Sequence, residues 1–134
     1  MSEQAILFCI LPGNRAAGQR LEELARRIQA SASVHVVRQL EDIRPALLYR
    51  WEEIGVAVLL AATRQELLDL KAMWSLFEDL RTILILPDGE KETVAMAHTM
   101  RPRFISCGDR DLRDVKAVLE KMMGISFQNG GAYI

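Results

Sequence analysis

Short apolar segments alternate with longer amphipathic ones along this chain of 134 residues, and that alternation limits the folds open to it. Two apolar segments, AILFCIL from Ala5 to Leu11 and GVAVLLAA from Gly55 to Ala62, carry no polar side chain. An unbroken apolar run is typical of a strand that is buried on both faces of a parallel sheet. The pattern predicts five strands: Ala5–Leu11, Val34–Arg38, Gly55–Ala62, Thr82–Leu86 and Arg103–Cys107.

The segments between these strands have apolar residues at helical spacing. The predicted helices run from Arg15 to Ala30, from Glu41 to Glu53, from Thr63 to Leu80, from Glu90 to the residues before Pro102, and from Gly108 and Asp109 to Met122. Strict alternation predicts a parallel sheet with right-handed crossovers and helices on both faces. Five such units predict a flavodoxin-like, doubly wound α/β domain with strand order 2-1-3-4-5. We expect residues 1–123 to form one domain and the glycine-rich residues 124–134 to form a flexible tail.

The charge balance restricts the partners that the chain can have. It has 17 basic and 18 acidic residues and a formal net charge of −1, whereas nucleic-acid binding normally requires a positive surface. No apolar run approaches the roughly 20 residues of a membrane-spanning helix, and the residues from Met1 to Gln4 include no basic side chain. We therefore expect a cytoplasmic protein with reduced cysteines that binds neither nucleic acid nor membrane and self-associates readily.

Cys9 and Arg15 have the C-x5-R spacing by which phosphate-monoester hydrolases place a thiolate inside a phosphate-binding loop. Ala16 stands where a hydroxyl residue normally follows the arginine, and Pro12 removes one amide from the loop. Cys9 is also expected inside the strand, so a small buried thiol is the better-supported interpretation. A cysteine-dependent phosphatase remains a minor alternative.

Gly13 and Gly18 have the glycine spacing of a phosphate-binding loop, directly after the first predicted strand. Gln19 and Arg20 stand where such loops carry a lysine and a hydroxyl residue, which argues against nucleotide hydrolysis. An anion could still bind to the amides at the start of the first helix. The alternative function is therefore a sensor of a small molecule or anion, such as a phosphate-bearing ligand, with these ligand-binding residues: Gly13, Asn14, Arg15 and Gly18.

The histidines and cysteines predict no metal or cofactor site. His35 and His98 are the only histidines, and neither belongs to a cluster with metal-ligand spacing. Cys9 and Cys107 belong to strands that the predicted order separates by two others, so we expect no disulfide.

Other polar residues are predicted to start helices. The segment from Thr63 to Glu66 has the pattern of a capping box, in which the hydroxyl and the carboxylate bond reciprocally to backbone amides. Asp88 and Asp109 lie at predicted helix starts and are interpreted as N-caps. Neither aspartate has an acidic neighbour that is suited to sharing a metal.

The segment from Arg81 to Met123, RTILILPDGEKETVAMAHTMRPRFISCGDRDLRDVKAVLEKMM, has an apolar strand, a turn, an alanine-rich helix, a strand with an aromatic residue and an amphipathic helix. It resembles the second half of a response-regulator receiver domain, and as topology the resemblance extends over nearly the whole chain. A receiver, as the family is known, binds magnesium through an acidic pair after strand one and is phosphorylated on an aspartate at the end of strand three. A hydroxyl residue after strand four and a lysine after strand five complete its site.

The matching positions of this chain carry none of those groups. They are Ile10 to Pro12, Leu60 or Ala61, Pro87 and Cys107. Without carboxylates, nothing is expected to hold a hard divalent cation or to accept a phosphoryl group. The resemblance therefore implies a degenerate receiver, or pseudo-receiver: a non-catalytic signalling domain that is not phosphorylated on aspartate, needs no cofactor and acts through protein contacts.

Receivers make such contacts through the fourth helix, the fifth strand and the fifth helix. The resemblance assigns contacts with a protein partner or a second copy of the chain to Arg101, Arg103, Phe104, Arg110 and Arg113, with Phe104 at the family's aromatic switch position. A solvated charged face is the alternative interpretation of the arginines, and packing beside the fourth helix is the alternative for Phe104. We expect a homodimer, because the domain is nearly neutral and has no attached effector.

Overall fold

The computed structural model describes residues 5–50, 53–107 and 112–124, in which β-strands and α-helices alternate as the sequence predicts. The strands are β1 (Ala5–Ile10), β2 (Ser33–Val37), β3 (Ile54–Leu60), β4 (Arg81–Ile85) and β5 (Phe104–Ser106). The helices are α1 (Arg15–Ile28), α2 (Ile43–Arg50), α3 (Arg64–Ala72), α4 (Lys91–Met100) and α5 (Arg113–Met123). Within the described ranges, every helix is too short or too polar to span a lipid bilayer. The predicted helix start at Gly108 and Asp109, and residues 125–134 of the predicted tail, lie outside these ranges.

The strands form one parallel sheet in the order β2-β1-β3-β4-β5. β1 and β3 pair at its centre, from Ala5 opposite Ile54 to Ile10 opposite Leu60. Because all the strands are parallel, each connection crosses a face of the sheet, and every strand ends at the same edge. The flavodoxin-like topology predicted from the sequence is confirmed.

Successive side chains of the central strands enter two apolar clusters, one on each face of the sheet. Leu7 and Cys9 of β1 belong to the cluster under α2, α3 and α4. Ile6 and Phe8 belong to the cluster under α1 and α5. All residues of β1 are buried, which explains why this strand has no polar position.

The third helix is shorter than the predicted one, which runs without a break from Thr63 to Leu80. α3 ends at Ala72, and Met73 leaves the helical region with φ −113° and ψ 18°. A 3-10 turn over Trp74–Phe77 follows; it buries the Phe77 ring, with the Trp74 ring tilted against it at a centroid distance of 5.3 Å. The apolar periodicity continues past Ala72, but the chain has to turn back to the start of β4. The prediction of a single helix is therefore wrong.

The other boundaries differ from the predicted ones by a few residues. α1 ends at Ile28 and not at Ala30, and β3 ends at Leu60 and not at Ala62. The predicted second helix begins as a 3-10 turn over Leu40–Asp42, which α2 follows. The ends of helices and strands depend on backbone hydrogen bonds, and the pattern of apolar side chains does not indicate where those bonds stop.

Substitution of Leu59 tests the burial of the central strands. Leu59 on β3 is 0% exposed, whereas Leu48 on α2 is 69% exposed. We expect Leu59→Ala to lower the free energy of unfolding by about 2–5 kcal/mol, because it removes buried carbon atoms and leaves a cavity. Leu48→Ala is the matched control and should change that free energy by less than about 0.5 kcal/mol. Urea denaturation followed by circular dichroism measures both, and equal effects would contradict the assignment of Leu59 to the core.

Candidate functional site

The carboxyl ends of four neighbouring strands lie in one row across the sheet. Their last residues, Ile10, Leu60, Ile85 and Ser106, are register partners. The residues that come next are Leu11, Ala61, Leu86 and Cys107. The first three of these are at most 2% exposed, and Cys107 is exposed. Ligand sites of open α/β sheets lie beyond such ends, yet this row of four residues offers no carboxylate, hydroxyl or ammonium group.

A small crevice lies above the ends of β3 and β4. Its volume is about 70 Å³, whereas small-molecule pockets start at about 300 Å³. Asn14 and Arg20 supply polar side chains, and the other lining residues are apolar: Ala17, Leu60, Ala62, Ile85, Leu86, Pro87 and Leu112. In the described parts of the chain, no group of three or more His, Cys, Asp or Glu residues could hold a metal ion.

The carboxylate of Glu66 connects the loop after β1 with the loop after β3. Its Oε2 accepts a hydrogen bond from the Gly13 amide at 2.7 Å, and its Oε1 accepts one from the Ala62 amide at 3.0 Å. Glu66 is only 9% exposed, so its charge is met mainly by these two amides. A Cβ atom on Gly13 would lie 2.6 Å from Oε2. Residue 13 therefore has to be a glycine for the carboxylate to approach so closely.

The predicted capping box is confirmed in one of its two hydrogen bonds. The Thr63 hydroxyl accepts from the Glu66 amide at 3.1 Å, as an N-cap does. The reciprocal bond of a capping box, from the N-cap amide to the Glu66 carboxylate, is not formed, because that carboxylate accepts from the Ala62 and Gly13 amides instead. Gly13 is 53 residues away in sequence, so no local pattern indicates this contact. Glu66 is the site residue that sequence reasoning misses.

The residues predicted to bind an anion have different roles within the folded chain. The Gly13 amide donates to Glu66, and the Asn14 side chain caps α1 by accepting from a first-turn amide at 3.1 Å. Gly18 is buried inside α1, where an added Cβ would come within 3.3 Å of a β1 side chain. Arg15 is exposed at the first position of α1. The Gly13 and Asn14 groups that the anion-sensor alternative requires are therefore already bonded within the chain.

Cys9 lies inside β1 and is 0% exposed. Burial, with a smaller contribution from the negative charge of Glu66, raises the pKa of its thiol to about 12. At neutral pH the group is a protonated thiol, whereas a nucleophilic cysteine has to be a thiolate. The geometry therefore gives no support to a cysteine-dependent phosphatase, and both Cys9 and Cys107 are free of disulfides.

Arg64 ties the start of α3 to the start of α4. Its Nη2 donates to the Thr93 hydroxyl at 3.0 Å, and its guanidinium nitrogens lie 3.5 Å from Glu90 and 3.4 Å from Glu92.

Hydrogen bonds from the Thr93 hydroxyl and the Glu90 amide hold the pKa of Asp88 below its ordinary value. Glu90 is the N-cap residue of α4, so the prediction of Asp88 as the N-cap is wrong. Asp88 stabilises the turn before the helix instead.

The predicted contact residues that the structure describes lie at the end of α4, in the turn before β5, on β5 and on α5. Arg101 and Arg103 are exposed at the turn between α4 and β5, and Arg101 ends α4 in the left-handed region with φ 55°. Phe104 is half-buried and packs into the cluster under α1 and α5, so the alternative that placed it beside α4 is wrong. Arg113 begins α5, at the opposite end of β5 from Arg103. Arg110 lies outside the described residues.

Two solved structures are similar to this chain. One is an atypical orphan response regulator described as having a new phosphorylation-independent regulatory mechanism; it is 12% identical, with 94% of this chain and 100% of that chain covered and a TM-score of 0.64. The other is described as a pilus assembly-related protein from Burkholderia pseudomallei K96243; it is 17% identical, with 93% and 92% covered and a TM-score of 0.58. No protein-family model and no curated protein matches the sequence. At these identities the likeness shows the fold, and the receiver-like fold that the resemblance implies is confirmed.

Removal of the Glu66 carboxylate tests its role between the two loops. We expect Glu66→Ala to lower the free energy of unfolding by about 1–3 kcal/mol, because the Gly13 and Ala62 amides lose a charged acceptor. Glu78→Ala, at an exposed position, is the matched control and should have little effect. Urea denaturation measures both variants.

The same Glu66 contact predicts how the unmodified protein responds to anions. Its melting temperature should rise no more with inorganic phosphate than with sodium chloride of equal ionic strength. A specific rise with phosphate that persists after Arg20→Glu with Arg27→Glu would show that an external anion reaches these amides, and it would contradict the role assigned to Glu66.

Proposed function

We propose that this protein is a degenerate receiver, a non-catalytic signalling domain that acts through protein contacts and is not phosphorylated on aspartate. The observation that carries the proposal is the row of residues beyond the strands, which is Leu11, Ala61, Leu86 and Cys107. In a receiver, the positions that match Ile10 to Pro12, Leu60 or Ala61, Pro87 and Cys107 hold the acidic pair, the phosphorylated aspartate, the hydroxyl residue and the lysine, respectively. The scaffold is thus present while the groups that perform phosphotransfer are replaced.

The chemistry of phosphotransfer explains why these replacements matter. Transfer to an aspartate needs a carboxylate acceptor, together with oxygen ligands for magnesium. Neither β1 nor β3 is followed by a carboxylate, since Leu11 and Ala61 stand there. The nearby carboxylates are engaged elsewhere: Glu66 accepts from two backbone amides, and Asp88 accepts from Thr93 and the Glu90 amide.

The similarity to an atypical orphan response regulator supports the proposal independently of the site. That protein is described as using a phosphorylation-independent mechanism. In the present chain, intramolecular bonds hold the loops that a phosphoryl group would otherwise influence: Glu66 holds the loops after β1 and β3, and Arg64 holds the start of α4. A domain whose loops are held by such intramolecular bonds can present the same surface to a partner without being phosphorylated.

We place the contact surface on α4, β5 and α5, with Arg101 and Arg103 at its start. β5 is the last strand in the sheet order, so among the described residues one side of its backbone has no strand partner, and such edges readily pair with other chains. Arg101 and Arg103 are exposed beside this edge, and arginine is enriched at protein interfaces. The net charge of −1 opposes self-association only weakly, so the proposed partner is a second copy of the chain.

A double charge reversal tests this surface. We expect Arg101→Glu with Arg103→Glu to weaken self-association at least about tenfold. The introduced carboxylates would be repelled by the acidic groups of the second copy that the arginines would otherwise contact. Arg44→Glu with Lys71→Glu changes the net charge equally at exposed positions on α2 and α3, and it should leave self-association unchanged. Sedimentation velocity over a range of protein concentrations measures both. A wild-type protein that stays monomeric at its highest soluble concentration would contradict the homodimer.

A further inference from the structure

A groove of about 860 Å³ separates α1 from α5. Both helices cover the same face of the sheet, where their buried residues share one apolar cluster. Ala16, Leu24 and Ala117 give the groove an apolar part, and the remaining lining residues are polar or charged. The groove is distinct from the small crevice at the strand ends, although Arg20 lines both.

The charges along this groove are mostly positive. The basic lining residues are Arg20, Arg27, Arg113 and Lys116, and the acidic ones are Glu23 and Glu120. Four basic and two acidic residues make the lining positive by two charges, whereas the whole chain has a net charge of −1. Positive charge is therefore concentrated at this face.

Both acidic lining residues already face a cation. Glu120 lies 3.5 Å from Lys116 one helical turn away, and Glu23 lies 3.9 Å from Arg26. These pairs leave the acidic residues little capacity to neutralise the arginines of the groove. The positive character of the groove thus comes mainly from arginine side chains.

Arg20 and Arg27 are the most available of these cations. Both are exposed, and neither forms an ion pair with any residue in the described part of the chain. Their separation of seven residues places them about two turns, or roughly 10 Å, apart along α1. Leu24 lies between them in sequence and lines the same groove, and it is 6% exposed.

We propose that the α1–α5 groove binds an acidic amphipathic helix of a partner protein. A helix with carboxylates two turns apart would match Arg20 and Arg27, because arginine binds carboxylates in a two-pronged geometry. Small apolar side chains between those carboxylates would contact Leu24 and the groove alanines, as in other helix-in-groove complexes. The two glutamates in the lining disfavour a continuous polyanion such as nucleic acid, which carries no apolar face. The groove shares α5 with the proposed homodimer surface, but its lining does not include Arg101 or Arg103.

The test uses fluorescence anisotropy with a labelled helical peptide that carries glutamates one heptad apart and alanines between them. We expect the wild-type protein to bind this peptide, with an affinity that falls as salt is raised. Arg20→Glu with Arg27→Glu should weaken binding at least about tenfold. Arg44→Glu with Lys71→Glu, an equal charge change on the opposite face of the sheet, should bind like the wild type. Circular dichroism checks that each variant is folded.

Other arms of the experiment separate this proposal from its competitors. The variant with Arg101→Glu and Arg103→Glu should bind the peptide normally, so a failed homodimer and a failed groove give different results. A peptide with lysines in place of the glutamates should not bind. Undetectable binding of the acidic peptide, equal binding by the Arg20 and Arg27 variant, or tighter binding of a DNA duplex would each overturn the proposal.

Discussion

The parallel pairing of β1 with β3 is the contact on which the rest of the structure depends. Both strands are buried on their two faces, so helices have to cover each side, with α1 and α5 on one and α2, α3 and α4 on the other. The same pairing directs all strand ends to one edge. There Leu11 and Ala61 extend the core beyond the last strand residues. The formation of the core and the absence of polar side chains from Leu11 and Ala61 at this edge are therefore two consequences of one apolar pattern.

At this edge of the sheet, intramolecular hydrogen bonds hold the loops in the way that ligand contacts hold them in other α/β domains. The Glu66 carboxylate accepts hydrogen bonds from the Gly13 amide in the loop after β1 and from the Ala62 amide in the loop after β3. The Arg64 guanidinium donates a hydrogen bond to the buried hydroxyl of Thr93, and this bond fixes the start of α4. Such a network needs no bound phosphate to hold its loops. That property is what a signalling domain that works without phosphorylation requires.

The sequence predicts the sheet well because an all-apolar run has few places to lie in an α/β domain, and strict alternation then favours a parallel, doubly wound sheet. It predicts the candidate site less well, because the decisive bond joins residues that are far apart along the chain. Glu66 suits a local capping box, and only the folded sheet brings Gly13 within reach of its carboxylate. The predicted packing of Phe104 beside α4 is wrong for another reason: in a strand of three residues, a shift of one position moves a side chain to the other face. Met73 ends α3 where the apolar periodicity continues, since the return to β4 overrides local preference.

Treatment with phosphate analogues tests most directly whether the domain works without phosphorylation. The uniformly ¹⁵N-labelled protein would be incubated with magnesium and either acetyl phosphate or beryllofluoride, beside a phosphorylatable receiver that verifies the reagents. Amide chemical shifts and intact mass would then be recorded. A domain that works without phosphorylation should show an unchanged mass and no shift changes beyond those that magnesium alone produces. A stoichiometric phosphate that is acid-stable and hydroxylamine-labile would contradict it, since only an acyl phosphate on a carboxylate behaves in that way.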